Sequence, residues 1–163
     1  MKYLILIASL LFAFGFSNAQ STVSTIDKYG YNKTPFMLIE DNIVYNIDKY
    51  GYNKISIAQI EGGKIYKVNK YGYNKRLFMI VEGGNIYTTD RYGYNKQAVA
   101  TIEGGKIYTA DKYGYNKIAI AMVEGGVIFS TDKHGYNKVS IAIIEGGYSQ
   151  AELAFILTRV GLL

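Results

Sequence analysis

The sequence predicts an all-β protein: a tandem array of strand–turn–strand units ending in a short capping α-helix. Three observations carry that reading. A DKYGYNK-like heptad recurs with its glycine at Gly30, Gly51, Gly72, Gly93, Gly114 and Gly135, always 21 residues apart. A second marker, Glu-Gly-Gly, recurs at Glu61, Glu82, Glu103, Glu124 and Glu145, and is degenerate as Glu40-Asp41-Asn42 in the first unit. Between the markers lie short runs of Ile, Val, Ala and Tyr, whose length and residue type suit strands. Two glycine-bearing turns in every 21 residues exclude helix from the array. A unit this short cannot bury a core alone and must pack on its neighbours.

Each unit holds a longer strand, a tight turn, a shorter strand and a wider turn. In the fifth unit these strands are Lys117 to Glu124 and Val127 to Thr131. Gly-Gly can take positive φ at both central positions, as a two-residue hairpin turn requires. Asp-Lys-Tyr-Gly fits a turn opened by an aspartate side chain that accepts a backbone N–H and closed by a left-handed glycine. The alternation along the longer strand predicts an inward column ending in Ile39, Ile60, Val81, Ile102, Val123 and Ile144. Two residues back stand Met37, Ala58, Met79, Ala100, Ala121 and Ala142, and two further back Pro35, Ser56, Leu77, Ala98, Ala119 and Ser140. The other face carries Phe36, Ile57, Phe78, Val99, Ile120 and Ile141. A strand apolar on both faces is usually covered on both, by a second layer, a partner or self-assembly.

Two stackings satisfy this pattern. In a β-solenoid each unit is one coil and like positions stack about 4.8 Å apart. In an antiparallel meander every turn is a hairpin and the strands form an open sheet or a barrel. The invariant period favours the solenoid, and the solenoid is the expected stacking, with the antiparallel meander or barrel as the alternative. The turn chemistry favours hairpins, and so does charge: stacked Lys33, Lys54, Lys75, Lys96, Lys117 and Lys138 would repel by about 0.9 kcal/mol per adjacent pair in bulk water. Crossed Lys–Glu pairing would offset that repulsion. The segment Ser21 to Ile26 reads as an uncapped edge open to pairing.

The two ends of the chain differ from the array. Lys2, an apolar run over Leu4 to Phe16, and small residues at Ser17-Asn18-Ala19 make residues 1–19 a secretory signal peptide. Residues 20–147 then form the repeat array and 148–163 the helical cap. The helix is predicted over 149–160: Ser149 and Glu152 make a capping box, Leu153, Ile156, Leu157 and Val160 follow at helical spacing, and Gly161 is a stop. The signal peptide implies export to the extracellular space or cell surface, with the periplasm as the other compartment. No second long apolar run follows, so no transmembrane segment is expected after cleavage.

The 163 residues include no cysteine, so the exported chain holds itself together without disulfides and has no thiolate metal site or cysteine nucleophile. With 18 Lys+Arg against 13 Asp+Glu the chain is mildly basic. The charge is spread over the units, which suits a solvated face or a pull towards anionic cell-surface polysaccharide, not nucleic acid.

The order Lys112-Tyr113-Gly114-Tyr115-Asn116, then Ala119 and Glu124, resembles the Gln-x-Gly-x-x-Asn-x-Ala-x-x-x-Gln pattern of curlin repeats from secreted bacterial fibre subunits, with Lys and Glu where that family has Gln. The resemblance spans about 27–147 and implies an extracellular fibre or matrix subunit. Tyr108-x-x-Asp111-x-x-Gly114 also resembles the tyrosine–aspartate hairpin repeats of large bacterial shell proteins.

No catalytic set, phosphate loop or metal-spaced cluster is visible, and no cofactor is expected. The single histidine, His134, fills the place of Tyr29, Tyr50, Tyr71, Tyr92 and Tyr113 and reads as a drifted tyrosine. The binding candidate is the first-turn column of Tyr31, Tyr52, Tyr73, Tyr94, Tyr115 and Tyr136 beside Asn32, Asn53, Asn74, Asn95, Asn116 and Asn137. Tyrosine offers a sugar ring an apolar face, and a neighbouring amide offers fixed hydrogen bonds. The competing reading is that these tyrosines pack the turns against one another. The sequence thus points to a secreted, non-enzymatic surface or matrix subunit, structural or adhesive, expected to self-associate. The alternative is a soluble lectin-like glycan-binding module.

Overall fold

A computed structural model describes residues 20–109, 111 and 116–163. The expected signal peptide lies outside the described residues. The array is not a solenoid. Long and short strands alternate as Ser21–Thr25 (β1), Thr34–Glu40 (β2), Ile43–Asn46 (β3), Ile55–Glu61 (β4), Lys64–Lys67 (β5), Arg76–Glu82 (β6), Asn85–Thr88 (β7), Gln97–Glu103 (β8), Lys106–Thr109 (β9), Ile118–Glu124 (β10), Val127–Ser130 (β11) and Val139–Glu145 (β12). All neighbours pair antiparallel, and β1 pairs with β12 to close a barrel of 12 strands. Hairpins win because the Gly-Gly pairs at 62–63, 83–84, 104–105 and 125–126 take φ of 53–56° and 78–82°, the left-handed pair that a two-residue turn needs between antiparallel strands. In the first unit Asp41 and Asn42 do the same at 51° and 63°.

Closure disposes of the predicted open edge. Val23 sits opposite Ile144 as Ile128 sits opposite Val123, so β1 is the short strand that completes the sixth hairpin. It is the first strand in the chain and the last in the ring. Like-charged positions of successive units are now separated by two strands, roughly 9.5 Å, which relaxes the repulsion that counted against stacking.

Every long strand carries a β-bulge, and this corrects the predicted faces. The ladder skips Phe36, Ile57, Phe78, Val99, Ile120 and Ile141, each lying between two residues that are consecutive partners of the neighbouring short strand. An extra residue reverses the alternation beyond it. The bulged side chains therefore pack against the core. Ser56, Leu77, Ala98 and Ala119 instead pair with Tyr45, Tyr66, Tyr87 and Tyr108 on the outer wall. That wall has its own cover: Leu38, Ile80 and Met122 are buried without belonging to the core cluster. The cross-strand aromatic rings of Tyr45, Tyr87 and Phe129 lie directly opposite them.

The lumen is filled by the helix Gln150–Arg159 (α1). Leu153, Ala154, Phe155, Ile156 and Leu157 are all buried. Five consecutive residues span the full circumference of a helix, so α1 is enclosed and does not lie over an end as the predicted cap would. The small inward column of Ala58, Ala100, Ala121 and Ala142 is the wall that makes room for it. Phe155 meets the bulged Phe78 edge to face at 6.2 Å. The predicted capping box is present: Glu152 N–H donates to the Ser149 hydroxyl, and Ser149 N–H to the Glu152 carboxylate. At the other end Gly161, at φ 78°, lets Leu162 N–H reach back to the Leu157 carbonyl at 2.9 Å. The seven-residue strands fall short of the about 9–11 residues that a tilted membrane strand needs, and no described helix is long and apolar enough to cross a membrane.

Candidate functional site

The barrel has two unlike ends. One carries the Gly-Gly hairpins. The other carries the wider turns, one per unit, arranged in a ring. Each wider turn is built around its first side chain. Asp27 Oδ1 accepts from the N–H groups of Tyr29 at 3.0 Å and Tyr31 at 2.9 Å, while Oδ2 accepts from the Asn32 amide at 2.6 Å. Gly30 N–H donates to the Asp27 carbonyl at 2.9 Å, and Gly30 takes φ 82°. The same side-chain triad recurs at Asp48, Asp90 and Asp132. Asn116 likewise donates to Asp111 at 2.7 Å. Asn69 stands in for aspartate in the third unit and accepts from Tyr71 and Tyr73 alone.

These donors stabilise the ionised aspartates. Asp27, Asp48 and Asp132 are held below the ordinary value of 3.8, chiefly by the N–H groups of Tyr31, Tyr52 and Tyr136. At Asp90 desolvation pushes upward, but hydrogen bonds from the Tyr94, Tyr92 and Gly93 N–H groups and the Asn95 amide together outweigh it.

The candidate tyrosines do not staple the turns together. Tyr31 and Tyr52 are 83% and 84% exposed, and Tyr73, Tyr94 and Tyr136 are 70–73% exposed. The difference has a local cause. In the third, fourth and sixth turns the Tyr73, Tyr94 and Tyr136 carbonyls accept from the N–H of Asn69, Asp90 and Asp132, and the next residue, Asn74, Asn95 or Asn137, takes φ of 53–57°. That draws the loop inward. Tyr115 lies outside the described residues. The candidate asparagines have another task. Asn32, Asn53, Asn95, Asn116 and Asn137 spend their amide donors on the turn aspartate, so they hold the tyrosines in place.

The sequence reading missed a second row of equal standing. Tyr29, Tyr50, Tyr71 and Tyr92 are also exposed. Each is covered on one face by the cation just before it: Lys28, Lys49 and Lys70 at 4.8–4.9 Å, and Arg91 at 4.4 Å. The signal was present, since a basic residue precedes this aromatic position in every unit. His134 occupies the same row as an exposed turn residue, and no cluster that could hold a metal occurs among the described residues.

A belt of ion pairs runs round the outer wall. Lys54–Glu40, Lys75–Glu61, Lys96–Glu82, Lys117–Glu103 and Lys138–Glu124 each join a unit to the one before, and Lys33–Glu145 joins the first to the last. Lys54, Lys75, Lys96 and Lys138 lie 5.7–5.9 Å from the Tyr45, Tyr66, Tyr87 and Phe129 rings between the partners. With these lysines committed to carboxylates, the uncommitted cations of the tyrosine end include Lys28, Lys49, Lys70, Arg91 and Lys133, none of which is ion-paired among the described residues. The end therefore presents aromatic faces with positive charge beside them. The chain matches no protein-family model, and no curated protein and no solved structure matches it. The likenesses to curlin and tyrosine–aspartate repeats rest on their motif residues alone.

Proposed function

We propose that this protein is an exported, non-enzymatic adhesive module that binds cell-surface polysaccharide through the ring of tyrosine turns. One observation carries the reading: the turns repeat round one end of a closed barrel, and the five that begin at Asp27, Asp48, Asn69, Asp90 and Asp132 each display a tyrosine side chain that neither packs the core nor holds the turn. Exposed aromatic patches of this extent mark interaction surfaces. Flat aromatic faces beside cations suit sugar rings bearing acidic groups. Equivalent turns engage successive sugars of a polymer, so weak contacts add through effective concentration. The closed strand ladder gives no support to assembly by edge pairing. Any self-association would run through the same end, ring to ring.

The test uses residues 20–163 on immobilised acidic and neutral polysaccharides. Tyr→Ala changes at Tyr31, Tyr52, Tyr94 and Tyr136 together should weaken binding by at least ~100-fold, at about 1 kcal/mol per stacked ring. The thermal midpoint should stay near the parent's. Unchanged polysaccharide binding in that variant, or no binding by the parent, would refute the reading.

A further inference from the structure

The ring is not fully symmetric. At the tyrosine end, the last residue of each short strand faces the first residue of the next long strand. Most of these pairs are neutral: Asn46 with Ile55, Thr88 with Gln97, Thr109 with Ile118, Ser130 with Val139. In one place both partners are cations, Lys67 directly opposite Arg76. Like charges in that relation are destabilising. Neither is ion-paired among the described residues, and neither is Arg91 on the next turn. All three line one cleft of about 440 Å³ with Phe78, Asp90 and Tyr92.

The cleft is organised by contacts of its own. Lys67 Nζ lies 4.8 Å from the Phe78 ring, and Arg91 stacks on Tyr92 at 4.4 Å while donating to its hydroxyl. The one carboxylate present, Asp90, is already committed: its oxygens accept from Tyr92 N–H, Tyr94 N–H and the Asn95 amide. What remains is three cations lining one cleft beside an aromatic face, at a single place in the ring where three successive units meet.

We propose that the Lys67–Arg76–Arg91 cleft binds the acidic group of a saccharide, a sulfate, phosphate or carboxylate, with the sugar ring seated against Tyr92. The assignment rests on the polysaccharide reading and deepens it: the symmetric turns hold the polymer, and this one cleft selects for its charge. Guanidinium groups suit planar or tetrahedral oxyanions because they donate two parallel hydrogen bonds.

The graft Lys67→Thr/Arg76→Gln tests it, because it installs the pair that the neighbouring unit carries as Thr88 and Gln97. The probes are glucose 6-sulfate, glucose 6-phosphate, glucuronate, glucose and inorganic sulfate, titrated by NMR against the arginine side-chain N–H signals. Acidic sugars should shift Arg76 and Arg91, glucose should not, and the graft should weaken the best acidic sugar by at least ~10-fold. The acidic sugar that binds most tightly names the anion. Acidic sugars that bind no better than glucose, or equally well to the graft, overturn the proposal. So does inorganic sulfate matching the acidic sugars, which would make this an anion site with no sugar contact. Capture by anionic-lipid vesicles without acidic-sugar binding overturns it in favour of a membrane surface. The two readings fail separately: Tyr31→Ala/Tyr52→Ala changes polysaccharide capture without moving the monosaccharide titration, and the graft leaves capture of neutral polymer intact.

Discussion

Alanine and glutamine scanning of residues 153–157 distinguishes an enclosed helix from one laid over the barrel end. A helix on a surface buries one stripe and shows the rest to water. Leu153 to Leu157 cover every direction round the axis, so on a surface-lying helix at least one of them would face solvent and cost less than about 0.5 kcal/mol to change. In the lumen none is spared. Ile156 and Leu157 are fully buried and Leu153 and Phe155 nearly so. Leu153→Ala, Phe155→Ala, Ile156→Ala and Leu157→Ala should each cost about 2–5 kcal/mol, because each empties a space between helix and wall that twelve hydrogen-bonded strands cannot collapse to fill. Ala154→Gln should cost about 1–3 kcal/mol by overfilling the gap. Urea unfolding reads these directly, and each kcal/mol should lower the thermal midpoint by about 2–4 °C. A loss that rises and falls with a period of three to four residues, with one position near zero, would show that the helix lies outside the lumen.

Four other outcomes follow from the turns. Gly126, at φ 81°, would place a Cβ 2.5 Å from the Ile144 carbonyl oxygen, so Gly126→Ala should cost more than about 2 kcal/mol in urea unfolding. Gly125→Asn should be nearly neutral, because nothing lies near that position and Asp41 already holds the equivalent one at φ 51°. Asn69→Asp should raise the urea midpoint at neutral pH, since it gives the Asn74 amide the acceptor that its counterparts have, and the gain should vanish below about pH 4 as the carboxylate protonates. Asp27, Asp48, Asp90 and Asp132 have native values below the ordinary 3.8, so their contribution is complete above that value and is lost as pH falls through the depressed ones. The midpoint attributable to them should hold from pH 7 to 5 and drop below about 4. A midpoint that rises on acidification over that lower range would contradict the assignment.

The parts of the fold written in local chemistry were legible in the sequence. Gly-Gly announced its hairpins, Ser149 and Glu152 their capping box, and Asp27 and its copies their turns. Three features were not, each for a physical reason. A bulge is one residue in excess on one strand. It leaves the 21-residue period intact while reversing which side chains face in, so Phe36 and Ile57 were assigned to the wrong wall and Ser56 to the core. Closure was hidden because Ser21–Thr25 lacks the Ile-Tyr signature of its counterparts. Its role depends on pairing with Glu145 and Ile144 at the far end of the chain, which no local pattern records. The helix was read as amphipathic because Leu153, Ile156 and Leu157 dominate its pattern, although Ala154 and Phe155 fill the remaining sides. At the site, Tyr31 and its copies were identified as candidates, while the sequence carried no sign that Asn32, Asn53, Asn95, Asn116 and Asn137 each donate an amide N–H to the turn aspartate.

The same division of labour argues for a binding surface at the tyrosine end. Apolar stability resides in the lumen, where α1 and the inward columns pack, and the hairpin ends are fixed by left-handed turns. The wider turns are held by carboxylate and amide groups accepting and donating inside the loop. Removing a Tyr31 or Tyr52 ring would break none of those bonds, because the tyrosines contribute backbone N–H groups, which any residue but proline supplies. Aromatic rings kept largely in water, on a loop that does not need them, carry a hydrophobic cost that the fold does not recover. A bound sugar face would recover it. The ring of tyrosines is thus separable from folding by mutation, and the loss expected on removing it is loss of binding with the barrel left standing.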